Sequence, residues 1–452
     1  MSRDVVLVSG RDPRDELGGG HSSYVRAHAR AVLRLGFTPR LFCAGRGRET
    51  VETDYGVIHC SAAPLRPVRQ MAAGIHAPRI AAAIERFAAG RRGPLLVHGF
   101  GVWGYAGILA CARLRTAAPA CEAIPIVSSY TTYEAESRAI LGGLAAYRLR
   151  TRLRQRAGHL WIRLAVNRWE RRAYREARLV LINYESVRRL VAARHGAAVG
   201  GACVKLAYAA EAAFLRETPP AGAAAKAPED ARSSSAAGGG DGTPLIVAVS
   251  RHEPRKGGDV LLAALDRLRA AGVPFRACLL GGGRQLAEER ALARELGLGG
   301  QVDLPGEVPD PYSHLERADV FVLPSRSEQS GSLALLEALQ AGRAIVASRV
   351  DGIPEDVDDG ASALLVEPGD PRALAAALSR LLGDPGLRRR LAFGARRRFE
   401  ERFSASAFTA ALGKVYAELG VVPLPRSGAE SGAESVALAG AAEPTVRAAA
   451  EA

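Results

Sequence analysis

The sequence predicts an α/β chain of two Rossmann-like halves whose parallel sheets face each other across a cleft. Three observations carry this expectation. Short apolar strands alternate with helical stretches in both halves, as in βαβ units. A Pro/Ala/Ser/Gly-rich segment at 218–243 interrupts the alternation, which then restarts. At 452 residues the chain also exceeds what one ordinary core supports.

The elements follow in order. VVLV (5–8) leads through a glycine loop into SSYVRAHARAVLRLG and then PRLFC (39–43). LLVHG (95–99) precedes GYAGILACARLR, IPIVSS (124–129) precedes an arginine-rich helical stretch, and RLVLIN (178–183) precedes ESVRRLVAARHG. After the linker come LIVAVS (245–250), RACLLGGG (276–283), VDLPG (302–306), DVFVLPS (319–325), AIVAS (344–348) and ALLVEPGD (363–370). Helices at about 371–382, 387–401 and 405–419 close the folded part. An Ala/Glu/Ser/Gly tail from 421 has no apolar periodicity to fold it. The expected organisation is 1–205, 206–243 as hinge and linker, 244–404, a returning helix at 405–420, and a disordered tail at 421–452.

Hydrophobic content of 48 % with 24 % charged residues is that of a soluble globular chain. The six scattered cysteines lack CxxC spacing, so they read as reduced thiols of a cytoplasmic protein, not a metal site or disulfide frame. MSRDVVLVSG carries an acid within its short apolar run, unlike a signal peptide, and no uncharged apolar run reaches about 18 residues. The net charge of +14 points to an anionic partner. Residues 147–178 hold 11 Arg against 2 Glu. They read either as a solvated helix pair or as a surface contacting an anionic membrane, with Leu160, Trp161, Ile162 and Leu164 supplying apolar contact. No helix-turn-helix pattern, zinc spacing or aromatic-interleaved sheet accompanies the charge, so nucleic acid is not expected.

In such sheets ligands bind beyond the carboxyl ends of the strands. Four loops of the second half carry polar residues there. In VSRHEPRKGGDVLLAAL, Arg251 and Lys256 flank a helix start, an arrangement suited to a diphosphate; as surface cations near a turn they would bind nothing. In LLGGGRQL, Gly281, Gly282 and Gly283 permit close backbone approach, or simply make a turn. In SRSEQSGSLALLEALQAG, Ser332 is placed to cap a helix from Leu333 to about Ala341, with Gly342 as its stop. That leaves Glu328 in the loop to meet the hydroxyls of a sugar and Glu337 a turn inside the helix to meet a diol such as a ribose. The fourth loop, RVDGIPEDVDDG, reads as architectural.

Taken together, Arg251…Lys256-Gly257, Gly281–Gly283, Glu328…Glu337 with Gly342, Gly352-Ile353-Pro354-Glu355 and Pro368-Gly369-Asp370 resemble the retaining glycosyltransferases of family 4. The resemblance spans about 245–420. It extends more loosely to the first half through DELGGGHSSYV and LLVHGFGVWG. It implies the GT-B fold of two Rossmann-like domains and transfer of a sugar, with retention, from a nucleotide diphosphate sugar (UDP- or GDP-linked) to a glycan, lipid or small-molecule acceptor. It implies no cofactor and no essential metal. By this resemblance Arg251 and Lys256 hold the diphosphate, Glu328 the transferred sugar and Glu337 the ribose. Ser332 and Leu333 belong to the helix start, Gly283 to the donor loop, and Gly19 and Gly20 approach the phosphates from the other domain. On the acceptor side, apart from the resemblance, His98 at the end of LLVH either lines the cleft or is a structural histidine, and Tyr130 lies beyond the next strand.

This chain departs from the family pattern at three points. One more residue than usual separates the two glutamates, so Glu328 or Gln329 fills the first carboxylate position. Tyr130 and Thr131 stand where many relatives carry a histidine. AYAAEAAF (207–214) replaces an Asn-Gly turn near the hinge. The competing readings are a non-catalytic sugar-nucleotide binder, another GT-B-like enzyme such as an epimerase or phosphorylase, and a dinucleotide-dependent oxidoreductase. A phosphorylase needs a pyridoxal-type lysine site, for which the sequence makes no case. The last reading is weakened because no GxGxxG opens a helix directly after the first strand.

Overall fold

The computed structural model describes residues 4–15, 20–45, 47–62, 72–142, 149–216 and 242–422. Gly19, most of the linker and nearly all of the tail lie outside the described residues.

The first half is an eight-stranded sheet: β1 (Asp4–Val8), β2 (Thr38–Gly45), β3 (Glu49–Thr53), β4 (Gly56–Ala62), β5 (Gly93–Phe100), β6 (Cys121–Ser129), β7 (Leu179–Ile182) and β8 (Cys203–Lys205). Its order is β3-β4-β2-β1-β5-β6-β7-β8, and only the β3–β4 pair is antiparallel. Helix α1 (Gly20–Arg34) follows β1, and α2 (Ala73–Ala88) and α3 (Gly104–Ala117) flank β5. Helices α4 (Tyr133–Gly142), α5 (Leu149–Trp161) and α6 (Asn167–Glu176) lie between β6 and β7, with a π-helical turn at Ile162–Val166 joining the last two. Helices α7 (Glu185–His195), α8 (Ala197–Gly201) and α9 (Ala212–Leu215) lead out of this half.

The second half is a six-stranded, wholly parallel sheet of β9 (Leu245–Val249), β10 (Arg276–Leu280), β11 (Val302–Gly306), β12 (Val320–Leu323), β13 (Ala344–Ser348) and β14 (Leu364–Val366). The order β11-β10-β9-β12-β13-β14 reverses direction between β9 and β12, as the first sheet does between β1 and β5. Crevices at such reversals are where α/β sheets receive ligands. The helices are α10 (Gly258–Ala270), α11 (Leu286–Glu295), α12 (Pro311–Arg317), α13 (Leu333–Gln340), α14 (Ile353–Asp356), α15 (Pro371–Gly383), α16 (Pro385–Arg402) and α17 (Ala405–Glu418).

The continuous apolar runs that marked the strands follow from burial on both faces: every residue of β12 and β13 is buried. Helix starts follow from capping. The side chains of Ser332, Asp370, Asp384 and Ser404 accept first-turn N–H groups, and Pro371 and Pro385 occupy first helical positions that need no donor.

One apolar cluster runs through both halves, from Leu7 and Val25 through Tyr184 and Tyr208 to Leu336, Ile353 and Phe399. Helix α17 returns to the first half, where Phe408 packs edge-on against His28 of α1 and the Tyr416 hydroxyl lies 3.2 Å from His98 Nδ1. Between the halves sits a buried polar node. The Asp356 carboxylate accepts from the hydroxyls of Tyr184 and of Tyr208, the latter at 2.7 Å. Burial pushes the Asp356 carboxyl up to about 7, against the pull of those two hydroxyl donors.

Gly352 makes this close approach feasible, because a Cβ there would fall 2.1 Å from the Tyr184 ring. Gly352→Ala is therefore expected to destabilise the fold by about 1–3 kcal/mol through overpacking. Urea denaturation measures it, and an unchanged midpoint would show that the halves do not need this contact.

Candidate active site

Strand β9 delivers its chain into a loop at the reversal point. Gly257 has φ 69°, and a Cβ on it would fall 2.1 Å from the Pro324 carbonyl oxygen. Only glycine allows that approach, and it brings Lys256 against the loop that follows β12. Lys256 Nζ donates to Glu328 Oε1, and the Ser325 hydroxyl donates to the same oxygen at 2.7 Å. The Glu328 backbone N–H is held by Asp351 at 2.6 Å, and the Arg255 guanidinium stands 4.0 Å from the other carboxylate oxygen. Glu328 is only 1 % exposed. Burial pulls the Lys256 ammonium below its ordinary pKa, while Glu328 works to keep it charged. Arg251 stands more exposed at the mouth, 3.0 Å from Glu253.

Helix α13 starts beside this pair. Ser332 Oγ accepts from the Leu335 N–H at 3.3 Å, and the Ser332 N–H donates to the Tyr208 hydroxyl at 3.0 Å. Among the described residues the N–H groups of Leu333 and Ala334 have no acceptor. Two free donors at the positive end of a helix dipole form an anion seat. Glu337 lies one turn further in. Burial pushes its carboxyl up to about 7, with Arg216 opposing that and Asp310 adding to it. No hydrogen bond reaches it among the described residues.

The cleft between the sheets has a volume of about 440 Å³. Its second-half wall is Arg251, Arg255, Lys256, Glu328 and the Ser330–Ala334 stretch. Its first-half wall includes Arg11, Gly20, His21, Tyr130, Tyr133 and Glu136. Helix starts face each other across it, since a Cβ on Gly20 would touch Leu333 Cδ1 at 3.5 Å. Three hydrogen bonds span the walls: Tyr24 hydroxyl to Ser330 O at 3.0 Å, Asn183 Nδ2 to Ser330 O at 3.2 Å, and Thr131 hydroxyl to Gln329 Oε1 at 3.3 Å. Glu328 thus faces Lys256, while Gln329 faces the opposite domain.

Of the residues singled out from sequence, Arg251, Lys256, Glu328, Ser332, Leu333, Gly20 and Tyr130 line this one cleft. Glu337 does not line it. It follows Leu333 and Ala334 by one helical turn, near Arg216, Asp310 and Tyr312. Two expectations need correction. His98 is fully buried, bonded to the Ser128 hydroxyl at 2.8 Å and to Tyr416. Strand β5 continues to Phe100, so Phe100 and Gly101 reach the cleft in its place. Gly283 does not line the cleft either. Its loop folds onto the β9 loop, where a Cβ would fall 2.4 Å from the His252 carbonyl oxygen. Arg11, Tyr133 and Glu136 escaped sequence reading. The available signal was their place just beyond β1 and in the first turn after β6. His21 is kept neutral by burial beside Arg11, which takes its pKa down to about 4.

Among the described residues one trio of potential metal ligands, Asp12, Glu49 and Cys60, lies close together, and the Arg14 guanidinium already bonds both of its carboxylates. No described helix is long and apolar enough to cross a membrane.

Comparison with known proteins bears on the fold and on the second half of the chain. Residues 232–398 match the family described as glycosyl transferases group 1. The GDP-mannose-dependent alpha-(1-6)-phosphatidylinositol monomannoside mannosyltransferase of Mycolicibacterium smegmatis is 35 % identical over 33 % of this chain and 41 % of its own. The lipopolysaccharide core biosynthesis glycosyltransferase LpsE of Rhizobium meliloti is 33 % identical over 37 % of this chain and 47 % of its own. The match thus spans less than half the length of these relatives. Sucrose-phosphate synthase from Thermosynechococcus elongatus superposes with a TM-score of 0.67 at 22 % identity, covering 92 % of this chain and 99 % of that one. Anabaena Alr3699/HepE in complex with UDP gives 0.65 at 16 % identity, over 92 % and 100 %. The chain therefore has the GT-B fold of two Rossmann-like domains, and its residues 232–398 carry the group 1 glycosyltransferase signature.

Proposed function

We propose that this protein is a retaining glycosyltransferase of the family 4 type, moving a sugar from a nucleotide diphosphate sugar to an acceptor hydroxyl. The observation that carries the reading is the convergence of Arg251, Lys256 and the unpaired Leu333 and Ala334 N–H groups on one side of the interdomain cleft. Cations and oriented N–H groups in a shielded site stabilise a departing diphosphate, so the reaction needs neither an essential metal nor a cofactor. The names of the relatives point the same way: one is GDP-mannose-dependent, and one solved neighbour holds UDP.

In this reading the bond between the anomeric carbon and the phosphate oxygen breaks first, and the electron pair leaves with the diphosphate. The acceptor oxygen bonds to the same face of the sugar, and its proton passes to the departing phosphate oxygen. Arg251 and Lys256 bind the diphosphate, with Gly20 allowing close approach from the opposite wall. Glu328 keeps Lys256 charged and offers its carboxylate to a sugar hydroxyl. Glu337 accepts from the ribose diol. Arg11, Tyr130, Tyr133 and Glu136 form the acceptor wall, for a glycan, a lipid or a small molecule. The compartment in this reading is cytoplasmic, in line with six scattered cysteines that lack CxxC spacing. The wider partner set includes an anionic membrane face.

A panel of UDP-, GDP- and ADP-sugars tests the reading by thermal shift and by release of the nucleoside diphosphate. One donor is expected to raise Tm and to be turned over. A donor that stabilises the fold yet is never consumed, with or without acceptors, would make this a non-catalytic sugar-nucleotide binder.

Glu337 makes a pH prediction. Its folded pKa of about 7 exceeds the ordinary carboxyl value, so this group adds stability to the free protein as pH falls below about 7 and loses it as pH rises. A ribose diol bonds the ionised form. Affinity for the nucleoside diphosphate should therefore climb from about pH 6 to 8, by up to about tenfold per pH unit below 7. Glu337→Gln should flatten that slope in calorimetric titrations; the same slope in wild type and variant would remove Glu337 from the ribose site.

The Lys256–Glu328 pair makes a third. Lys256→Met leaves a buried carboxylate without its cation, at a cost of about 3–5 kcal/mol, and adding Glu328→Gln should recover much of it while turnover stays lost. Additive stability losses in the double variant would mean the pair is not coupled.

A further inference from the structure

Five large apolar side chains are exposed in one region of the first half: Ile75, Leu153, Leu160, Trp161 and Leu164, the last 63 % exposed. Leu153, Leu160, Trp161 and Leu164, with Ala157, fall at i, i+7, i+8, i+11 and i+4, which is one helical face. Trp161 meets Trp169 edge-on at 6.2 Å, and a Cβ on Gly74 would fall 2.0 Å from the Trp169 ring. That packing brings the start of α2, with Ile75, beside the same stripe. Ile162, expected among the outward apolar residues, is buried instead, and with Val166 it anchors the π-helical turn in the core.

Arginines border the stripe. Arg154, Arg156, Arg163, Arg168, Arg171 and Arg175 are exposed, and none forms an ion pair among the described residues. The acids of the segment do not offset them: Glu170 is buried against His195, and Glu176 pairs with Arg172. An apolar stripe flanked by uncompensated cations is the surface chemistry of a helix lying in a lipid interface. Six uncompensated cations around one apolar stripe call for a partner with an extended negative surface, which an anionic lipid leaflet supplies.

The patch also has a definite place relative to the cleft. His159 Nδ1 lies 3.1 Å from the Ser137 hydroxyl, tying α5 to α4, whose Tyr133 and Glu136 form part of the acceptor wall. We propose that α5, the π-helical turn and α6 dock the protein on an anionic lipid surface, and that this presents the acceptor wall to a lipid-borne acceptor. The second clause rests on the glycosyltransferase reading; the first does not.

Flotation with vesicles of phosphatidylcholine alone, or with about one third phosphatidylglycerol, tests the proposal on the full chain. Binding is expected to the anionic vesicles at about 50 mM salt, to weaken steeply by about 0.5 M, and to be slight on neutral vesicles. Leu153→Ser/Leu160→Ser/Leu164→Ser should weaken it by at least about tenfold, and each of Arg154→Gln, Arg156→Gln and Arg163→Gln by about fivefold. These residues lie outside the donor site, so release of nucleoside diphosphate in vesicle-free buffer should be unchanged. That readout separates failure of the docking face from failure of the enzymatic reading. Absent binding at low salt, binding that ignores lipid charge, or a leucine variant whose main effect is loss of self-association on light scattering would each overturn the proposal.

Discussion

The structure depends on a single buried carboxylate shared between its halves. Asp356 belongs to the second half, Tyr184 stands just beyond β7 of the first, and Tyr208 lies in the segment leading out of it. Both hydroxyls donate to Asp356, and the Tyr208 oxygen in turn accepts the Ser332 N–H. Ser332 is the cap of α13, so the node that joins the halves also fixes where that helix begins. Its first free N–H groups, Leu333 and Ala334, then face the cleft rather than protein. A buried acid with a pKa near 7 is costly. It is tolerated here because every hydrogen bond it makes also sets the mutual position of two sheets.

Much of this was legible in the sequence wherever a local cause sufficed. VFVL and AIVAS read as strands because both faces are buried. Ser332 read as a cap because a serine precedes an apolar run, and Arg251, Lys256 and Glu328 read as cleft residues because they sit at strand ends, whereas the pairing of Lys256 with Glu328 had no signal in sequence. The β3–β4 hairpin did not show itself, since ETVET is a largely exposed edge with no apolar alternation. Helix α2 was masked by Pro78 in its first turns. His98 was misplaced because β5 runs on to Phe100, and a small shift in where a strand ends decides which side chains emerge at its tip.

What stayed hidden was everything made by distant contact. Tyr208 and Asp356 are 148 positions apart, and neither carries a motif. The fourth loop, read as architectural, proved to hold the acid that couples the halves. Arg11 lies in the loop after β1 and Glu136 in the first turns of α4, and only the folded sheet brings both to the first-half wall of the cleft. The two walls also differ in kind. On the second-half wall a helix start, a glycine turn and a cation produce a signature in sequence because each is set by residues adjacent along the chain. The first-half wall is assembled from scattered polar residues, and such sites vary with the ligand while the scaffold stays fixed.

The two perturbed acids, Asp356 and Glu337, sharpen that distinction. Burial raises both to about 7, yet Asp356 has two hydroxyl donors and Glu337 has none among the described residues. A half-buried carboxyl with no donor, one turn below an anion seat, lowers the stability of the empty protein above neutral pH. Arg216 is near enough to offset part of that cost but is itself paired with Asp310 at 2.8 Å. A purely structural position would gain by becoming apolar, as its neighbours Leu336 and Ala338 are. In the proposed reading the acid is half of a contact whose other half is a ligand hydroxyl, one turn from the free N–H groups of Leu333 and Ala334.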